Sequence, residues 1–256
     1  MIYKRVAARL QAQDWAAITI ELSIVVVGVF IGTQVSNWNA ARLERAETTR
    51  MLSQLQPQIT ELRDFLSSTH GYYATTRRYA GTALAGWKND PTVSDNDFVI
   101  AAYQASQIAG LGTNGSTLAS IFGADRLRSI DDPAIRRDLS WLVSSDTSSI
   151  DQAAVDTPYR QNVRRIIPVE IQDAIRSRCG DATEPGRPKV FLLPNDCPLV
   201  IPASAAKAAA ISLRAHPELA NDLRGHVAEV AVFLINIKLF EETSRNLEHE
   251  IRPYHR

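Results

Sequence analysis

Three glycines in the middle of the chain have a spacing that is used in cofactor binding. Gly110, Gly112 and Gly115 fit the pattern G-x-G-x-x-G, whose backbone amides hold the pyrophosphate of a dinucleotide. That chemistry needs a strand before the glycines and a helix after them. Here the preceding segment, residues 97–109, has a helical pattern, and no βαβ unit surrounds it. We therefore interpret the glycines as a helix end followed by a loop, and we expect no cofactor.

The residues that usually carry catalysis or metal binding show no productive spacing. The 5 histidines include no HExxH motif, and the serines include no G-x-S-x-G motif. His226 and Glu229 stand three residues apart on a predicted helix, but two groups alone do not make a metal site. The sequence thus predicts neither an enzyme nor a metalloprotein, and it identifies no small-molecule substrate.

One group of arginines could hold an anion. Arg160, Arg164 and Arg165 fall on neighbouring turns of a helical stretch, and two further arginines follow at 176 and 178. Because a guanidinium binds phosphate or carboxylate oxygens in pairs, these residues form a candidate patch for an anionic ligand or a lipid headgroup. The alternative, which the sequence favours, is a solvated face paired with nearby acidic side chains. Those side chains are Asp151, Asp156, Glu170 and Asp173.

The element that positions everything else is an apolar stretch near the N-terminus. Residues 15–38 contain one ionisable side chain, Glu21, and a tryptophan at each end. About 20 apolar residues in a helix cross the hydrocarbon core, and tryptophan prefers the membrane interface. We predict a transmembrane helix over 15–38, a cytoplasmic basic tail over 1–14 and an extracytoplasmic domain over 39–256. A buried core helix and a cleaved signal peptide are the alternatives. The stretch is apolar on all faces, long for a signal and without an evident small-x-small cleavage site.

The orientation of the span follows from the basic residues beside it. The basic side chains on its two sides are nearly balanced, and the N-terminal amine favours a cytoplasmic N-terminus. We therefore predict a single-pass protein of the bacterial inner membrane, whose C-terminal domain lies in the periplasm. The tail itself is either a short interfacial helix on anionic lipid or a frayed basic segment.

One face of the span is predicted to meet another helix. At 100° per residue, five residues fall within a sector of about 80°. They are Glu21, Val25, Gly28, Gly32 and Val35. Small residues four apart let two helix backbones approach closely, and a carboxylate within the bilayer usually faces a partner or water. The alternative is that the two glycines have no role in association and that the Glu21 side chain reaches the nearer membrane–water interface.

Overall composition narrows the possible partners. The 28 basic and 28 acidic residues cancel, which argues against a nucleic-acid binder. Cys179 and Cys197 flank a segment rich in proline and would lie outside the cytoplasm, so we expect them to form a disulfide, with two free thiols as the alternative. The predicted partners are the lipid bilayer and either a second copy of the chain or another membrane protein.

Beyond the span, apolar residues recur at helical spacing. The fold class predicted is all-α: the transmembrane helix continues into an elongated antiparallel helical bundle. Pro57 should kink the first helix or start a new one, and residues 89–91 should end it near Trp87. The first core-facing stripe is Leu52, Leu55, Ile59, Leu62 and Leu66.

Helix-capping residues mark the later helices. Ser94 or Asp95 should begin a helix that reaches Ala109, and Asp132 with Pro133 should begin a long one. The helical pattern then continues to about residue 178, with a break near 156–158 and a short helix expected earlier, at 117–122. The last helix should run over 217–252 and pack antiparallel against the helix that follows residue 40. Between residues 180 and 202 we expect an irregular excursion, a hairpin of strands 189–193 and 199–201 around residues 194–196.

The span carries a resemblance to a known family. Glu21 opens it, Gly28 lies at its middle, and residues 34–39 read Gln-Val-Ser-Asn-Trp-Asn at its exit. In these features the chain resembles a family of uncharacterised bacterial single-pass membrane proteins, and residues 116–130 are similar to a less specific segment of that family. The resemblance implies an anchored, helical extracytoplasmic domain. It implies no activity, and the excursion with its cysteines is not a feature of that family.

Three functional classes compete. The first is a non-enzymatic interaction or scaffold subunit, or an accessory subunit, of an envelope complex. The second is a ligand-sensing bundle, which would need a membrane partner because the tail over 1–14 is too short to be an output module. The third is an ion-coupled accessory subunit that uses Glu21, the lone carboxylate of the span.

Overall fold

The described part of the chain is almost entirely helical. A computed structural model describes residues 15–109, 127, 130–145 and 156–255. Within them the fold is all-α with one small two-stranded sheet, as predicted. The chain divides into two compact units, Met1–Leu52 and Ser53–Arg256. The glycine motif at 110–115, the short helix expected at 117–122 and the tail over 1–14 lie outside the described residues.

The first helix, α1, spans Trp15–Trp87. It contains Pro57, so of the two predicted outcomes, a kink or a new helix, a new helix does not begin there. Proline removes one backbone donor, but Leu55 and Ile59 on either side are fully buried, and their packing holds the helical path. The helix ends where predicted, because Asn89 adopts a left-handed φ of 55° just beyond it.

Two capping residues act as the sequence predicts. Helix α2 spans Asp95–Gln104, and the Ser94 side chain accepts a hydrogen bond from the backbone of Asp97 at 3.1 Å. Helix α3 spans Pro133–Ser144, and Asp132 accepts from the backbone of Ala134 at 2.8 Å. Helix α2 is shorter than expected: it stops at Gln104, and the chain turns at 105–106 instead of continuing to 109.

The stretch from the expected break near 156–158 to residue 178 contains two helices, not one. Helix α4 spans Pro158–Ile166 and helix α5 spans Val169–Cys179. Pro168 separates them, because a proline at this point has no N–H to continue the first helix while its fixed φ suits the start of the second.

The hairpin is present but lies earlier in the chain than predicted. Strand β1 spans Ala182–Glu184 and strand β2 spans Arg187–Leu192, and they pair antiparallel. The turn is at 185–186, where Gly186 has a φ of +77°, a conformation that a glycine adopts without strain. The expected strand at 199–201 was wrong, since that segment is irregular and Pro198 and Pro202 beside it lack the N–H that a ladder needs.

Two helices complete the fold. Helix α6 spans Ala203–Arg214, a helix that the apolar pattern did not predict, and helix α7 spans Glu218–Ile251, followed by a 3₁₀ turn at Arg252–His255. Helix α6 is rich in alanine, the best helix former. Because alanine is small, an alanine-rich helix has only a weak apolar stripe in its sequence. Its buried face consists of three alanines and one leucine: Ala206, Ala209, Ala210 and Leu213.

The last helix packs antiparallel against part of the first, as expected. Thr60 and Arg63 on α1 both donate hydrogen bonds to Glu248 on α7. One end of the contact is therefore near residue 248. Further along α1, the rings of Tyr73 and Phe233 lie 5.0 Å apart. Residue numbers rise along α1 while they fall along α7, so the two segments run in opposite directions.

Helix α2 lies at the centre of the core. All of its residues from Phe98 to Gln104 are buried, so this part of the helix is enclosed on every side. The ring of Trp87 lies 5.0 Å from that of Phe98, and the hydroxyl of Tyr159 on α4 donates to the carbonyl of Ala102 at 2.7 Å. A helix enclosed in this way holds the residues after its C-terminal end in a defined position, and those residues meet the arginines of α4.

Candidate functional site

The span is exposed along its length. Every described side chain from Thr19 to Val35 is exposed, and among the described residues α1 is the one helix with a window long and apolar enough to cross a membrane, at a mean hydropathy of 1.7. This finding rests on length and composition. Apolar side chains such as Ile24, which is 65% exposed, would be unfavourable in contact with water. A lipid environment removes that free-energy cost.

The predicted face of the span is exposed in the part of the chain that the structure describes. A Cβ added at Gly28 or Gly32 would meet no atom within 4 Å. Glu21, Val25 and Val35 are exposed beside them. Glycine in a helix interior costs about 1 kcal/mol relative to alanine, and no contact among the described residues requires it at either place.

The two cysteines lie at disulfide distance. Cys179, the last residue of α5, and Cys197 have Cα atoms 5.4 Å apart and form the predicted disulfide. Gln104 at the end of α2 donates a hydrogen bond to the carbonyl of Cys179 at 2.6 Å. The bridge therefore joins the hairpin segment to a helix end that is itself attached to the core.

The arginines of α4 meet the segment that follows α2. Arg160 donates to the carbonyl oxygen of Ser106 at 2.6 Å. Arg164, one turn later, donates to the Ser106 hydroxyl at 3.0 Å and to the side-chain oxygen of Gln107 at 2.7 Å. Because both guanidinium groups contact the same residue, α4 brings two positive charges close together.

A third arginine joins them from α5. The guanidinium carbon of Arg164 lies 4.8 Å from the centre of the Tyr103 ring, and Arg176 donates to the Tyr103 hydroxyl at 3.1 Å. Burial first, and then the charge of Arg160, lowers the pKa of Arg164. The charge of Arg176 acts in the same direction. We name Arg160, Arg164 and Arg176 the arginine cluster.

The cluster differs from the patch that the sequence predicts. Arg165 is exposed and points to another side of α4, since it is about 100° around the helix from Arg164. Arg176, which lies on a different helix, takes its place. Of the acidic residues proposed as partners, Asp156 lies 3.6 Å from Arg160, and Asp173 pairs with Arg176. Among the described residues, no carboxylate pairs with Arg164.

Two buried tyrosines adjoin the same region. Tyr72 is 2% exposed, and among the described residues its hydroxyl has no hydrogen-bond partner; Tyr73 beside it is fully buried. Burial, followed by the charge of Asp181, raises the pKa of Tyr72, while the charges of Arg160 and Arg164 lower it. Tyr72 thus keeps its proton and lies within electrostatic range of two arginines of the cluster.

A second surface of interest is on α7. Most of its apolar residues are buried, but Val232, Ile235 and Leu239 are 56%, 69% and 50% exposed. Their spacing of three and four residues places them on one stripe, which Ala228 continues by four residues toward the N-terminus. We name Val232, Ile235 and Leu239 the exposed stripe. The periodicity of the sequence does not single these residues out, because Val232 and Ile235 lie within a nearly continuous apolar run over 230–237.

The remaining candidate sites show no assembled chemistry. A cavity of about 430 Å³ lies between α1 and β2, and its one carboxylate, Asp64, is paired with Arg63. Ser204 and Lys207 on α6 fit the S-x-x-K spacing of serine acyl-transfer enzymes, but both side chains are exposed on the helix surface. Within the described ranges, no three His, Cys, Asp or Glu side chains are grouped so that they could hold a metal ion.

These features define a class of protein: a helical protein with one candidate membrane span and a disulfide-bonded helical unit. Comparisons of the chain with models of protein families, with curated proteins and with solved structures found no match.

Proposed function

We propose that this protein is a membrane-anchored, non-enzymatic interaction subunit of the bacterial envelope, whose helical unit lies in the periplasm and associates with a second copy of the chain. The observation that carries the proposal is the exposed stripe on α7. An apolar stripe on a helix whose opposite face is core is usually covered in the functional assembly.

The stripe fits a second copy of itself. Val232, Ile235 and Leu239 occupy successive a and d positions of a heptad, so in a parallel pair each would pack against its own counterpart. In the same arrangement Arg224 of one copy lies opposite Glu229 of the other, a favourable pairing of charge. A parallel pair would therefore match apolar side chains with apolar side chains and place opposite charges beside them.

Membrane anchoring makes a small contact sufficient. Three partly exposed side chains bury much less than the roughly 1,200 Å² typical of a stable soluble interface. Two copies held in one bilayer meet at an effective concentration in the mM range, which supports a weak contact. The face of the span with Gly28 and Gly32 offers a further contact of the same kind.

The first experiment tests the stripe by crosslinking. Ile235→Cys in the otherwise unchanged protein should give a disulfide-linked dimer in membranes, because a parallel pair places residue 235 beside its own copy. Ile211→Cys is the matched control, since Ile211 is 58% exposed on α6 and lies outside the stripe. Equal crosslinking at the two positions, or none at either, would refute self-association through α7. Crosslinking of Ile235→Cys to a different protein would do so as well.

The second experiment tests the span. Replacing Gly28 and Gly32 with isoleucine should weaken association measured by a two-hybrid assay in the membrane, because the larger side chains keep two backbones apart. The matched control replaces Val26 and Val29, also exposed on the span, with isoleucine. Association that is the same in both variants would leave the glycine face without this role.

The third experiment tests the orientation. The disulfide of Cys179 supports a periplasmic location, since such bonds persist outside the cytoplasm. A phosphatase reporter that is active only outside the cytoplasm, fused after Arg256, should be active. Activity of a cytoplasm-only reporter at the same position would reverse the assignment.

A further inference from the structure

The arginine cluster has three positive charges, and among the described residues two carboxylates, Asp156 and Asp173, pair with it. Asp156 and Asp173 are largely exposed, with side-chain exposures of 48% and 63%, so water screens their pairing with Arg160 and Arg176. Arg164 is the most deeply placed of the three, and its contacts are a hydroxyl, an amide oxygen, a carbonyl and the ring of Tyr103. A partly buried guanidinium whose only neighbours are neutral groups is unfavourable, and a bound anion would relieve this cost.

The cluster also has donors to spare. Within the described residues, Nη1 of Arg164 and Nη2 of Arg160 make no hydrogen bond, although both side chains are held in place through their other nitrogens. The buried hydroxyl of Tyr72, within electrostatic range of the same two arginines, is unpaired too. Fixed guanidinium groups with free N–H donors are the arrangement that binds tetrahedral and planar oxyanions.

The supports of the cluster are rigid. Ser106 and Gln107 follow the buried helix α2, Tyr103 belongs to it, and Arg176 stands one turn before the cysteine that forms the disulfide. The guanidinium groups therefore hold their positions without a ligand, which reduces the entropic cost of binding one.

We propose that Arg160, Arg164 and Arg176 form a binding site for a small oxyanion of the phosphate class, either free in solution or carried by the headgroup of a lipid. The site is separate from the exposed stripe on α7, and it does not depend on the proposed self-association. The helical unit would bind this ligand regardless of which protein associates with the membrane anchor.

The test measures binding of inorganic phosphate to the full-length, oxidised protein in mild detergent. Phosphate and chloride buffers are compared at equal ionic strength, by calorimetric titration and by the shift of the unfolding temperature. Phosphate should bind and should raise that temperature relative to chloride. In Arg164→Gln and in Arg176→Gln the dissociation constant should rise at least about tenfold, because each variant loses charged hydrogen bonds to the anion.

Arg165→Gln is the matched control. It removes the same charge from the adjacent position of α4, but its side chain is exposed and outside the cluster, so phosphate should bind as it does to the unchanged protein. Arg176 is largely exposed, so its variant keeps the fold and the result remains readable if Arg164→Gln unfolds. An equal loss in all three variants would mean a general effect of charge and would overturn the proposal.

Two further arms distinguish the source of the phosphate group. Glycerol phosphate replaces inorganic phosphate in one, and nanodiscs of phosphatidylglycerol or phosphatidylcholine replace the detergent in the other. Tighter binding of inorganic phosphate points to a free ion, whereas stabilisation by phosphatidylglycerol that Arg164→Gln abolishes points to a headgroup. If neither probe distinguishes the unchanged protein from Arg164→Gln and Arg176→Gln, the site does not exist.

Discussion

Arg63 on α1 donates a hydrogen bond to Glu248 on α7, joining two helices at residues 185 apart in sequence. Thr60 donates to the other carboxylate oxygen at 2.8 Å, so both oxygens of Glu248 are bound from α1. The Glu248 side chain is 12% exposed and that of Arg63 is 30% exposed. This pair specifies the register in which the two helices lie against each other.

The strength of that contact can be measured with a double-mutant cycle. We expect a coupling of about 1–2 kcal/mol between Arg63→Met and Glu248→Leu, at the lower part of the range for charged hydrogen bonds because water screens part of the pair. The same cycle for Lys238 and Glu242, an exposed pair on α7 at 3.7 Å, should give about 0.3–0.5 kcal/mol. Denaturant unfolding supplies the free energies. Equal couplings would show that the link between the helices contributes no more than a surface pair.

Gly86 should not tolerate a side chain. A Cβ at this position would lie 2.2 Å from the ring of Phe98, far inside van der Waals contact, so Gly86→Ala should lower the free energy of unfolding by about 1–3 kcal/mol. Gly81→Ala on the same helix is the control. A Cβ there meets nothing within 4 Å, so that variant should be neutral or up to about 1 kcal/mol more stable. A stable Gly86→Ala protein would contradict the close packing of α1 on α2.

Loss of the disulfide should destabilise the helical unit. The bond between Cys179 and Cys197 closes a loop with a sequence separation of 18, and the chain-entropy model gives about 3 kcal/mol for a loop of this size. The double variant Cys179→Ser with Cys197→Ser should unfold at a correspondingly lower denaturant concentration. Reducing agent should shift the unchanged protein by a similar amount and leave the variant where it is. A reductant effect on the double variant would point to a cause other than this bond.

His226 should make stability depend on pH. Burial lowers its pKa from 6.5 to about 4, the charge of Arg160 acts in the same direction, and its ring nitrogen Nδ1 lies 2.8 Å from the Thr157 hydroxyl. The unfolded chain binds a proton at pH values where the folded protein does not. Stability is therefore complete above about pH 6.5 and falls as the pH drops toward 4, by at most about 3 kcal/mol for this group.

The His226→Gln variant isolates that contribution. Its free energy of unfolding should change less between pH 6.5 and 4 than that of the unchanged protein, because glutamine does not titrate. His216→Gln is the control, since His216 is exposed and pairs with Glu218 two residues away. If the two variants have the same pH profile, His226 is not the group responsible.

The sequence by itself determined those features that depend on neighbouring residues. The cap at Ser94, the proline start after Asp132 and the end of α1 before Asn89 arise from contacts within a few residues, so the local pattern predicts them. The candidate span is also local, because crossing a bilayer depends on the length and composition of one segment. The cysteine pair could be predicted since two cysteines allow one pairing.

Only the tertiary structure decided which distant groups meet. The periodicity of α4 cannot tell that Arg160 and Arg164 face the end of α2 while Arg165 faces solvent, nor that Arg176 arrives from another helix. The turn of the hairpin depends on the left-handed conformation of Gly186. The sequence alone does not choose between this turn and the second turn-like segment at 194–196. Packing also carried α1 through Pro57, since the burial of Leu55 and Ile59 outweighs one missing hydrogen bond. Each of these outcomes depends on contacts between residues that are far apart in sequence. A local sequence pattern does not show which of those contacts form.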